Sequence, residues 1–254
     1  MSTIEEQYGW TAVPHSLDAI IASRPSPTKP LPLRVEDIAL PDTPLVHEVQ
    51  AYAREHLPKE TYAHSMRVYY FGTSFPLFPD RPFPPDLLPT LARAITLSHF
   101  HSFHHTPETL LLVCLLHDLG TTPYNLTSTH LSFEFHGAFL SLNLLKSLSS
   151  PIPQAESVAE TIIRHQDLGE TGMLTELTAA IHFGTLLDNA GKFAELVDRV
   201  TIESVVEAWP RGGWTGCFAH VLREEMGRKP WCNSTRIEGF VGLVEGNGVM
   251  AEFD

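Results

Sequence analysis

The chain has 254 residues, and its 30 Asp and Glu against 17 Lys and Arg give a formal charge of -13; with no Lys or Arg cluster, it lacks the basic face that a nucleic-acid backbone requires. A hydrophobic share of 43% and a charged share of 19% describe a globular protein with an ample core, and no apolar run approaches the roughly 18 to 20 residues of a membrane helix. Three cysteines, Cys114, Cys217 and Cys232, are too few and too scattered for a disulfide framework or a four-cysteine zinc site, whereas the fourteen histidines prompt the question of where they fall.

In chain order, residues 1–7 have neither the basic start and apolar stretch of a secretion signal nor the arginine content of a transit peptide, so a cytoplasmic protein is expected. Residues 1–41 read as an irregular arm, because Pro25, Pro27, Pro30 and Pro32 forbid a continuous helix. A helix is predicted from Leu45 to Leu57, capped by Asp42 or Thr43 and ended by Pro58. The next, from Thr61 to Gly72, sets Met66, Tyr69 and Tyr70 at helical spacing and carries His64, with Arg67 one turn on to pair with a carboxylate or bound a pocket. A Pro- and Phe-rich loop follows over 73–90, then a helix over 87–97. His99, His101, His104 and His105 have no interleaved carboxylate or cysteine and read as a surface run.

The almost wholly apolar helix from Thr109 then runs into His117 and Asp118 and is stopped by Gly120. Burying an imidazole beside a carboxylate is costly unless each finds a partner, and a divalent ion partners both. The simpler alternative is that Asp118 or Thr121 caps the next turn and His117 is a satisfied core histidine. A helix from about His130 to Leu148 places Glu134 and His136 about 200° apart, so that only one easily faces a common centre. Another, from Gln154 to Arg164, delivers His165 at its C-terminal end, and one from about Thr175 ends in Asp188 before Gly191. Helices over Thr201 to Trp209 and Trp214 to Met226 follow, and 239–254 reads as a flexible tail or an oligomer contact. His64, His117, Asp118 and Asp188 together form an N/O donor set suited to zinc, manganese or iron, with positions left open for water.

These residues carry a resemblance. A histidine on one helix, a His-Asp pair ending another and a later lone Asp resemble the HD-domain metal-dependent hydrolases. Within them, Leu116 to Thr122, Ser132 to Phe135, Ile162 to Asp167, Leu187 to Asn189 and Arg228 to Trp231 resemble the fungal cyanamide hydratases. The resemblance implies an all-α HD-domain helical bundle with an irregular Pro-rich N-terminal arm. It divides the chain into an arm over 1–41, an HD domain over 42–235 and a tail over 236–254, and a homo-oligomer is expected. It implies a hydro-lyase that adds water to the nitrile carbon of cyanamide to give urea, by attack of a zinc-bound hydroxide. His64, His117, Asp118 and Asp188 would be the ligands, Asp118 and His165 the catalytic groups, and Arg67, Thr121, Glu134 and His136 the pocket wall. His136-Gly137-Ala138 departs from the tyrosine and two glycines usual in that family. Open alternatives are another small nitrile or an isonitrile as substrate, an HD phosphohydrolase acting on a nucleotide monophosphate, and a dinuclear, di-iron HD enzyme.

Overall fold

The structure is a computed structural model that describes residues 3, 7–23, 30–74 and 107–254. The helix over 87–97, the histidine run, and the Pro- and Phe-rich loop beyond residue 74 lie outside the described residues. Among the described residues are eleven helices and a single two-stranded sheet, so the chain is all-α as expected. No helix among them is long and apolar enough to cross a membrane.

In chain order the helices are α1 (Leu17–Ala22), α2 (Pro44–His56), α3 (Lys59–Ser74), α4 (Pro107–Leu116), α5 (Pro123–Thr127), α6 (Phe133–Ser147), α7 (Ile152–Arg164), α8 (Glu176–Ala190), α9 (Arg199–Ala208), α10 (Trp214–Arg228) and α11 (Phe240–Glu245). Local chemistry sets several ends. Thr43 caps α2 through its hydroxyl and Pro44 opens it. Thr175 caps α8 in the same way, and Gly191 closes it in the left-handed conformation at φ 64°.

Helix α4 is buried from Thr109 to Leu116 and has no polar stripe, so other helices must surround it. α2, α3, α7 and α8 do so. α3 is nearly as enclosed, and it approaches α8 so closely that a Cβ on Gly184 would lie 2.6 Å from the Val68 carbonyl oxygen. That approach brings the end of α8 beside His64. At the end of α4, the 3-10 turn Leu119–Thr121 meets the first turn of α6, and a Cβ on Gly120 would lie 2.0 Å from the Phe133 carbonyl oxygen. Gly120 therefore does more than end a helix; it lets two backbones touch.

Two segments are more ordered than their composition suggests. In the arm, β1 (Ala12–Pro14) pairs antiparallel with β2 (Met173–Thr175), Val13 opposite Leu174, and the His15 ring bonds the Thr171 and Asp167 carbonyls. The arm is thereby tied to the loop that follows His165. At the other end, α11 packs on α10 in a second hydrophobic cluster formed by Trp214, Phe218, Leu222, Phe240 and Val244, and Asn247 and Met250 are buried as well. A six-residue helix is too short to leave a periodic signal.

Gly120→Ala forces a methyl group onto backbone and is expected to cost about 3 kcal/mol, the upper end for overpacking. Gly216→Ala, within α10 and open around its Cβ, should stabilise by about 0.5–1 kcal/mol through helix propensity. Urea denaturation midpoints of the two variants should move in opposite directions.

Candidate metal centre

His64 stands on α3, about one and a half helical turns from its start, and His117 and Asp118 follow directly on α4. The antiparallel packing of α3 and α4 places all three side chains at one end of the pair, away from Ser74 and Pro107, which lie about 15 Å further along the helices. All three are buried, and they offer ligand atoms within 4.8 Å of one another. Among the described residues this is the single group of three or more such side chains that could hold a metal ion.

The hydrogen bonds around the trio fix its tautomers. His117 Nδ1 donates to the Cys114 carbonyl at 2.8 Å, and His64 Nδ1 donates to Asp188 Oδ2 at 2.5 Å. In the neutral rings both Nε2 atoms are then unprotonated, and they face each other at 3.2 Å. Asp118 Oδ2 stands 3.4 Å from His117 Nε2 and 3.6 Å from His64 Nε2, buried and without a hydrogen-bond partner. Three electron-pair donors thus converge with no hydrogen between them, an arrangement that calls for a positive charge. The charges respond accordingly. Burial disfavours the His117 imidazolium, but Asp118 outweighs it and raises the pKa. Burial also opposes charge on Asp118, yet the surrounding imidazoles, His117 foremost, hold its carboxyl well below the usual carboxylate range. Asp118 heads the 3-10 turn but makes no capping bond through its side chain, so the capping alternative does not account for it.

His165, just past the end of α7, approaches from a third side. Its Nδ1 donates to the Ile162 carbonyl at 2.7 Å and its Nε2 lies 3.9 Å from Asp118 Oδ1. Burial pushes its pKa down to about 3, and burial brings His64 down to about 4 against the pull of Asp188.

Asp188 does not join the converging donors. Oδ1 accepts from Arg67 Nε and Arg211 Nη1, each at 2.8 Å, and Oδ2 accepts from Arg67 Nη2 at 3.0 Å as well as from His64. Burial opposes its charge, but the two guanidinium groups keep the carboxyl far below its ordinary value. Arg67 is therefore locked behind His64 rather than set in a pocket, and Arg211 is held in turn by Asp254 and Thr215. Trp214 stacks on the outer face of His64, with ring centroids 4.2 Å apart and planes at 14°, while its Nε1 donates to Asn189. Arg211 and Trp214 carried no sequence signal beyond a break at Arg211-Gly212-Gly213 and an aromatic opening a helix.

A narrow pocket of about 20 Å³ opens on His117, Asp118 and His165, and no Lys or Arg is among the described residues that line it. Of the remaining predicted wall residues, Thr121 is buried beneath Asp118 and donates to its carbonyl at 2.7 Å. Glu134 is fully buried, accepts from Asn233 at 3.1 Å through Oε1, and leaves Oε2 without a partner. Burial raises its pKa to about 7, with Glu225 and Asp118 adding to the effect. His136 is half-buried, and burial together with Lys229 lowers its pKa. None of these three lines the narrow pocket.

No family model matches the chain. It is 32% identical over 232 residues, 91% of this chain and 92% of the relative, to the cyanamide hydratase DDI2 of Saccharomyces cerevisiae. The same values hold for the cyanamide hydratase DDI3 of that yeast. Identity of this extent over nearly the full length of both chains makes this chain a member of the cyanamide hydratase family.

Proposed function

We propose that the chain is a metal-dependent hydratase of the HD-domain type that converts cyanamide to urea. The observation that carries this reading is the bare convergence of His64 Nε2, His117 Nε2 and Asp118 Oδ2 beside a narrow pocket. The donors fit a divalent ion such as zinc, iron or manganese. Bound there, such an ion would activate water near neutral pH.

The chain's own residues would manage the protons. Asp118 Oδ1 and His165 Nε2 flank the same space, and His165, neutral with its hydrogen on Nδ1, starts as an acceptor. It takes the proton that water loses as the new C–O bond forms at the nitrile carbon, and delivers it to the nitrile nitrogen as one C–N π bond opens. The isourea so formed becomes urea by a further proton shift from oxygen to nitrogen. Gln166 and Asn189 use their amide oxygens to accept from Ser234 and Trp214, which leaves their N–H groups to orient a small polar substrate. Asp188 holds His64 in its tautomer and orientation, as carboxylates commonly do for metal-binding histidines. A nucleotide substrate is disfavoured, because phosphate needs cations and both site arginines are committed to Asp188.

Protein purified without a histidine tag is expected to carry one divalent ion per chain and to release urea from cyanamide. No urea, with free phosphate from a nucleotide monophosphate, would overturn the reading. Asp118→Ala should lose both bound metal and turnover. Asp188→Asn should weaken metal binding about 10- to 100-fold, as read by chelator competition, and should destabilise the fold by about 3–5 kcal/mol because two buried guanidinium groups lose their partner.

Glu134 gives a pH prediction. Its folded pKa stands above that of an unfolded glutamate, so its contribution to stability is full below about 4.5 and is lost as pH rises to about 7. Glu134→Gln should flatten the stability profile in that window when unfolding is measured at successive pH values.

A further inference from the structure

The pocket beside Asp118 has two unlike sets of lining residues. His117, Asp118 and His165 are polar, while Phe240, Leu243 and Ile237 are apolar, the first two on α11 and the third just before it. The apolar set is firmly seated. Phe240 meets Phe218 edge-on, with centroids 5.9 Å apart and planes at 82°. Phe218 stacks on Trp214 at 5.3 Å and 11°, and Trp214 stacks on His64. The wall therefore cannot retreat without disturbing the ring that faces the metal position. It also belongs to a hydrophobic cluster separate from the main core.

We propose that Phe240, with Leu243 and Ile237, determines substrate size, confining the site to a short, unsubstituted nitrile such as cyanamide itself. This rests on the hydration reading above. The pocket is narrow, about 20 Å³, and an alkyl group on the amino nitrogen adds bulk that its apolar lining, Phe240 and Leu243 included, must accommodate. The chemistry is indifferent to that group. Water adds across the C≡N bond, oxygen to carbon and one proton to nitrogen, and after the same oxygen-to-nitrogen proton shift N-ethylcyanamide would give ethylurea, with the N-ethyl bond untouched. Discrimination is thus a matter of space, and one methylene in a tight apolar pocket is worth roughly 10- to 200-fold in kcat/KM.

The test compares kcat/KM for cyanamide and N-ethylcyanamide in the wild-type holoenzyme and in Phe240→Ala, Leu243→Ala and Val241→Ala. Val241 packs on the same cluster but does not line the pocket, so its variant reports the effect of loosened packing alone. The wild type is expected to favour cyanamide by at least about 100-fold. Phe240→Ala should narrow that ratio about tenfold or more, Leu243→Ala should narrow it less, and Val241→Ala should leave it unchanged. Leu243 is only half-buried, so its variant keeps the proposal testable if Phe240→Ala does not fold. Rapid urea release with a ratio unmoved in both pocket variants, or moved equally by Val241→Ala, would overturn the size wall and leave the hydration reading intact. A wild type that makes no urea would overturn that reading, and this inference with it.

Discussion

The carboxylate of Asp188 is the fixed point of the molecule. It lies at the end of α8, fully buried, between Arg67 from α3 and Arg211 from the α9–α10 connection, with His64 Nδ1 completing its contacts. Such buried charges are tolerated because every nitrogen of both guanidinium groups and both oxygens of Asp188 have a partner. Arg67 Nη1 also donates to the Trp209 and Pro210 carbonyls, and Arg211 donates to the Asp188 backbone oxygen. The network joins α3, α8 and the C-terminal helices at one point. It also sets the direction of the first imidazole in the centre.

The other half of the centre depends on α4. A helix with no polar face must be enclosed, and enclosure places whatever follows it in the interior. His117 and Asp118 are buried because they follow Leu116, and they converge on His64 because α3 and α4 run antiparallel. The bare oxygen of Asp118 is then a consequence of the packing: the scaffold brings acceptors together and supplies no donor between them. A site of this kind is costly to build without a cation, and the raised pKa of His117 expresses the same demand as a bound proton.

Much of this was legible in the sequence, for identifiable reasons. Apolar runs that end in polar pairs give away His117 and Asp118, and proline, threonine and glycine punctuation gives α2 and α8 within a residue or two. What escaped is whatever depends on contacts distant in the chain. Nothing local distinguishes a carboxylate that converges with two histidines from one that bonds two arginines, so Asp188 and Asp118 read alike although their surroundings differ. Arg211 lies 23 residues from Asp188 and looks like part of a turn. The arm's strand has three residues and α11 has six, both below the length at which periodicity speaks. Glu134 is fully buried and His136 half-exposed on α6, a difference that follows from their spacing of about 200° around one helix.

The latch between the C-terminal residues and the end of α8 has a consequence for how the protein is made. Asn247 donates to the Asp188 backbone carbonyl and Asp254 accepts from Arg211, so the support of His64 draws on residues nearly 200 positions further along the chain. During synthesis, which proceeds residue by residue and lets N-terminal parts fold first, α3 and α4 emerge long before these contacts can form. The support that Asp188 gives His64 is therefore completed later in synthesis than the helices that carry His64, His117 and Asp118.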